Sequence, residues 1–306
     1  MIMGTSLTAP VLVALGMISP APGAATPEQQ AVQLDGPLYA APTRLDRIGR
    51  ILAPVMINGQ GPFRLTVDTG ANQSVITTPL AAALGLTASD QVVKLNGVTG
   101  SLVVPTVRID RFETGDLVQS ALLLPILDSV MSEADGILGM QGLEDKRITV
   151  DFRRDRITIA WSRNERAGRK FYTVPTKLRF GHLLMADGEV AGVKVHIVID
   201  TGSERTLGNM ALHDALIRRS RIKRRLVATP VLGLTMIEQM GNSVQTPAIR
   251  LAEVIVKDVN VVYGDIHVFT LWGLEEDPAL LLGMDVLGTL NTLIIDYRRK
   301  ELQIMP

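Results

Sequence analysis

The sequence predicts an all-β protein built from two copies of one half, and three observations carry that prediction. The segment Phe63-Arg-Leu-Thr-Val-Asp68-Thr69-Gly70-Ala71-Asn72 reads like Val195-His-Ile-Val-Ile-Asp200-Thr201-Gly202-Ser203-Glu204. Further on, Ala134-Asp-Gly-Ile137-Leu138-Gly139-Met140 is echoed by Ala279-Leu-Leu281-Leu282-Gly283-Met284. Each half then closes on alternating apolar and polar residues around a charged turn, Ile148–Ile159 in one and Leu293–Ile304 in the other. Self-similarity over more than a hundred residues marks a duplicated unit rather than a local coincidence.

The order of elements is the same in both halves. An apolar, β-rich strand runs into Asp-Thr-Gly, and a short stretch of weak helical character follows, Thr78 to Leu86 or Asn209 to Ile217. Equivalent residues lie 132 apart at Asp68 and Asp200, 144 apart at Gly139 and Gly283, and 145 apart at Phe152 and Tyr297. The halves therefore differ by an insertion between the first and second landmarks. Elsewhere short strand-like runs dominate (Leu102 to Ile109, Leu122 to Leu127, Ile249 to Val256), separated by Gly, Pro and Asp. Few stretches carry a helical period long enough for βαβ crossovers.

Composition narrows the function classes. With 46% hydrophobic and 20% charged residues over 306 positions, the chain can bury a sizeable core. Its 31 basic and 31 acidic side chains balance, so no global field points to nucleic acid, a membrane surface or an acidic substrate. The absence of cysteine excludes disulfides, thiolate nucleophiles and sulfur-ligated metals. The four histidines show no metal-ligand spacing, and His196 reads as a sheet residue. Neither a phosphate-binding glycine loop nor a Gly-x-Ser-x-Gly elbow occurs. No cofactor or metal is expected. The basic stretch Ile217–Leu226 reads as a solvated surface segment.

At the N-terminus, the apolar run Leu7 to Ile18 is too short to span a bilayer, and Gly23 and Ala25 offer the small residues a signal peptidase requires. Residues 1–25 are expected to be a signal peptide, although the run is preceded by no Lys or Arg. The predicted division is then an N-terminal segment 26–45, a first lobe 46–160, a linker 161–170 where periodicity stops and charge accumulates, and a second lobe 171–306. Export to the periplasm or beyond, without stable membrane insertion, follows as an expectation.

The two Asp-Thr-Gly turns carry the chemistry. At ordinary residue usage one such tripeptide is expected about 0.06 times in a chain of this length. Two copies, each after a strand and each followed by an apolar-apolar-Gly triplet, make mere Asx turns a poor account. Hydrolysing an amide without a metal or covalent nucleophile needs one group to take a proton from water and another to give one to the carbonyl oxygen. Two carboxyls about 3 Å apart supply both, because they cannot both ionise cheaply and so hold one proton between them. Asp68 and Asp200 are the candidate pair, and a near-symmetric pair titrates as a unit. Thr69 and Thr201 can bond across to the opposite loop, while Gly70 and Gly202 let backbone amides approach the carboxylates.

On these motifs residues 46 to 305 resemble the retropepsin and pepsin clan of aspartic peptidases, and in particular bacterial exported two-repeat aspartyl peptidases. The resemblance implies two β-barrel-like, pseudo-symmetric lobes with a cleft between them. It also implies a triplet strand crossing a wide loop that carries each Asp, and a β-hairpin flap over the cleft. It makes Asp68 and Asp200 the catalytic pair and Thr69, Gly70, Thr201 and Gly202 their frame. The first candidate flap is Val92 to Val104, with Gly97, Val98, Thr99 and Gly100 at its tip and no aromatic residue in it. A second is centred on Gly233-Leu234-Thr235. Retroviral members usually follow the triplet with Arg and have an acidic residue soon after Asp-Thr-Gly. Here Met140 and Met284 follow the triplets and Asn72 and Glu204 follow the turns, so that supporting ion pair is not expected. With both halves in one chain, a monomer acting on an extended peptide or protein is the expectation. A peptide-binding protein that keeps this fold with a misaligned, silent pair is the competing reading, and retention of both aspartates favours activity.

Overall fold

A computed structural model describes residues 49–130, 132–220 and 226–306. Within 1–48 only four short strands of backbone are assigned, so the predicted signal peptide and the segment 26–45 lie outside the described residues.

In the first lobe the alternating pattern becomes a closed barrel of six strands. Around the ring run Ile51–Ile57, Gln60–Val67, Gly136–Leu138, Val75–Thr77, Leu117–Leu127 and Gly100–Thr114. The last returns to the first through Met56 opposite Glu113 and Ile57 opposite Phe112. Ile51, Ala53, Val55 and Ile57, two residues apart, all point inward and are buried, as strand periodicity requires. Closing the ring removes the open edges that a flat sheet of this size would present.

The second lobe repeats the path with Leu183–Val190, Val193–Ile199, Ala279–Leu282, Leu207–Gly208 and Asn260–Tyr263. The 15-residue strand Gly100–Thr114 corresponds here to two pieces, Glu238–Gln245 and Ile249–Leu251, with Pro247 in the gap. Proline cannot donate to a ladder, which suits it to such a break. The length difference between halves falls in two places. Helix α1, Thr78–Ala83, has six residues, whereas its counterpart α2, Met210–Ser220, has eleven. Between the last barrel strands the first lobe has the loop 128–135, while the second has 264–278 with an added helix α3, His267–Leu271.

The two closing hairpins do not stay in their own lobes. Lys146–Asp151 pairs antiparallel with Thr292–Asp296, joining Arg156–Trp161 on one side and Glu301–Met305 on the other into one sheet beneath both lobes. In this register Thr149 faces Ile294, and these two residues are 145 apart, the same separation as Phe152 and Tyr297. Equivalent residues thus meet across the seam, which puts a pseudo-twofold axis through it. The expected linker is bound to this sheet. Ser162 Oγ donates to both carboxylate oxygens of buried Asp296 at 2.9 Å, and Arg166 Nη2 reaches Glu301 Oε2 at 3.0 Å. No helix among the described residues is long and apolar enough to cross a membrane.

Candidate active site

Each Asp-Thr-Gly turn sits at the end of an inner barrel strand, Gln60–Val67 or Val193–Ile199, where the chain leaves the ladder. The triplet strand pins it from both sides. Asp68 N donates to Leu138 O at 3.0 Å and Met140 N to Ala71 O at 2.9 Å. In the second lobe Asp200 N donates to Leu282 O at 3.1 Å and Met284 N to Ser203 O at 2.8 Å. The crossing is so close that a Cβ on Gly139 would stand 2.3 Å from the backbone of Gln73, and one on Gly283 2.6 Å from that of Arg205. Only glycine fits either crossing. Met140 and Met284 are buried, consistent with apolar packing at the place where an Arg would need a partner.

The turns are held to each other by a closed ring of four hydrogen bonds. Thr69 Oγ1 donates to Ile199 O at 2.7 Å and accepts from Thr201 N at 3.1 Å. Thr201 Oγ1 donates to Val67 O at 2.7 Å and accepts from Thr69 N at 3.2 Å. Each hydroxyl uses both its donor and an acceptor pair, so neither loop can shift without breaking bonds in a fully buried place.

Inside this frame both carboxyls are closed off from solvent. Asp68 Oδ1 accepts from Gly70 N at 2.8 Å and Ala71 N at 3.1 Å, and Asp200 Oδ1 accepts from Gly202 N at 2.8 Å and Ser203 N at 3.1 Å. The other oxygen of each, Oδ2, receives no protein donor, and the two carboxyls interact with one another. Burial pushes Asp68 up to about 7, against the opposing pull of the Gly70 amide, the Asp200 carboxyl, the Ala71 amide and the positive charge of Arg50. Asp200 is raised well above the ordinary carboxylate value, first by burial and then by the negative charge of Asp68. The pair therefore keeps at least one proton across the acidic to neutral range.

Two hairpins close over the turns. Ser89–Gly97 and Gly100–Thr114 form the first, with Gly97 opposite Gly100 and Val98-Thr99 as its tip. Val227–Gly233 and Glu238–Gln245 form the second, tipped by Leu234 and Thr235. Thr99 Oγ1 and Thr235 Oγ1 lie 3.3 Å apart, so the tips touch. The two aspartates and their frame residues thus meet across the paired turns, and the first hairpin tip, Gly97 to Gly100, meets the second through Thr99 and Thr235.

Other contributors were not read from the sequence. Ser74 Oγ accepts from Gly139 N at 3.1 Å, and Thr206 Oγ1 accepts from Gly283 N at 3.2 Å, tying each triplet glycine to its own loop. The repeat contained a signal for them, since both are small hydroxyl residues six positions after the Asp. Asp285, present in one lobe only, takes bonds from Thr206 N and Oγ1. Among the described residues no group of three or more His, Cys, Asp or Glu side chains could hold a metal.

Fold and site together define a two-lobed protein whose halves each lend one carboxyl to a shared, buried pair. The chain belongs to the aspartyl protease family, whose model matches residues 53–141 and 186–286, one stretch in each lobe. No curated protein matches the chain by sequence.

Two outcomes follow from this geometry. Thr69→Val keeps the shape but removes a hydroxyl that serves a carbonyl and an amide, so denaturant unfolding should show a loss of about 2–4 kcal/mol; an unchanged midpoint would contradict the ring of bonds. The raised carboxyls favour the protonated folded state. Their contribution is fully present below the unfolded value of 3.8 and fades as pH rises through about 7 for Asp68. Stability should therefore fall between pH 4 and 7, and Asp68→Asn should flatten that slope in a pH series of thermal melts. A slope of opposite sign would count against the buried pair.

Proposed function

We propose that the protein is an aspartic endopeptidase in which a water held between Asp68 and Asp200 attacks a peptide carbonyl. The observation that carries this reading is the pairing of two solvent-shielded carboxyls, each with one oxygen held by two backbone amides and the other left toward its partner. One carboxyl of the pair takes a proton from the water while the other, which holds the shared proton, gives it to the carbonyl oxygen. The attack forms a C–O bond and a neutral gem-diol. The carboxyl that took the water's proton then gives it to the amide nitrogen, while the other carboxyl takes a proton back from a gem-diol hydroxyl as the C–N bond breaks. This returns the pair to its shared-proton state. An extended peptide fits beneath the two hairpins, where Gly97, Val98, Thr99 and Gly100 can pair with its backbone. No nucleic acid partner enters this reading.

The active unit is a monomer, because one chain already holds both carboxyls. Asp68→Asn and Asp200→Asn should each lower cleavage of an unfolded protein by about 10³-fold or more while keeping the fold, and a mixture of the two variants should stay inactive. Recovery on mixing would show that the carboxyls pair between chains, and near-normal turnover by either variant would refute the dyad.

Export is part of the same proposal, supported by the apolar run Leu7 to Ile18 and the small residues Gly23 and Ala25. Protein from the exported fraction should begin at Thr26 on N-terminal sequencing. An intact Met1 on cytoplasmic protein would overturn it.

A further inference from the structure

The two hairpins close in the same way but are not held in the same way. At the tip of the first, Val98 is fully buried and packs into the second lobe, in an apolar cluster with Val268, Phe269 and Trp272. Its carbonyl accepts a hydrogen bond from Val268 N at 2.9 Å. Phe269 and Trp272 stand edge to face behind it, with ring centroids 6.1 Å apart. Three of these contacts come from α3 and its C-cap, the helix that the first lobe lacks. The second tip, Leu234, reaches into the first lobe among Ala71, Val75, Val130 and Ile137, a cluster with no aromatic residue, beside the helix-free loop 128–135. Between the tips, the Ile237 side chain fills the space where a Cβ on Gly100 would stand.

We propose that α3 is a latch for the first hairpin, so that the cleft opens by lifting of the second hairpin and substrate enters beneath Leu234. Raising the first hairpin means breaking the Val98 to Val268 bond and withdrawing Val98 from an aromatic pocket. Raising the second strips aliphatic contacts from Leu234 and parts the Gln239 side chain from His267 N and Asp265 O in its own lobe. Among the described residues, however, its tip makes no backbone bond to the first lobe. An extended substrate would then be threaded from one side of a nearly symmetric site, with the first hairpin acting as its fixed rail. This inference rests on the cleft being the substrate site as proposed above, but its test needs no turnover.

The chain has no cysteine, so a single thiol reports one position. Val98→Cys and Leu234→Cys, each placed separately in the Asp68→Asn background, bury a thiol at either tip. Each is treated with a small maleimide under native conditions, with labelling followed by mass. The Val98→Cys thiol should label about tenfold more slowly than the Leu234→Cys thiol, the order expected for one added backbone bond and its packing. Adding Phe269→Ala should bring the Val98→Cys rate up to that of Leu234→Cys and leave the latter unchanged. Trp272→Phe serves the same purpose with a smaller change of volume should Phe269→Ala fail to fold. Equal rates at the two tips, faster labelling at Val98→Cys, or acceleration of both tips together would overturn the latch. An inactive wild-type enzyme with a tenfold rate difference would sink the peptidase reading and leave the latch standing.

Discussion

Two carboxyl groups with no access to solvent cannot both carry charge, and the rest of the structure is arranged around that constraint. Ionising both would place two negative charges together in a low-dielectric space, so the pair retains a proton. Keeping the carboxyls that close requires two loops from distant parts of the chain to be fixed to a fraction of an ångström. The crossed Thr69 and Thr201 hydroxyls do this from below, and the triplet strands at Gly139 and Gly283 do it from the sides. The sheet shared by both lobes then sets the lobes themselves, since Thr149 opposite Ile294 admits one register only.

Duplication explains the symmetry of the frame, and later divergence explains where symmetry fails. Oδ1 of each Asp meets the same pair of amides, at the same two distances in both lobes. Around them the lobes differ: Arg50 adds a positive charge on the side of Asp68, Asp285 has no acidic counterpart at Gln141, and α3 stands over one hairpin tip. A homodimer of identical halves could hold none of these differences.

Much of this was legible in the sequence because its signals are local. The Asp-Thr-Gly turns, the triplets and the closing hairpins each occupy fewer than a dozen consecutive residues, and strand alternation marks their inward faces. Hairpins form at both places where the family resemblance led them to be expected, Gly97 to Gly100 and Gly233 to Thr235. What escaped was non-local. Nothing in Ile148–Ile159 says that its partner strand is Thr292–Asp296 from the other half, because alternation fixes a face but not a neighbour. Helix α3 is a single turn and a half with no cap side chain, too short to leave a period in the sequence. The closure of Gly139 on Ser74, 65 residues earlier, is likewise a matter of tertiary approach.

The central claim is that one chain holds one working pair of carboxyls. Titration of its activity on an unfolded protein with a statine-type inhibitor, whose hydroxyl takes the place of the attacking water between two carboxyls, tests it most directly. The account predicts cleavage that falls linearly with added inhibitor and ends at one inhibitor per chain. An end point of one inhibitor per two chains, or cleavage that the inhibitor leaves untouched, would contradict it.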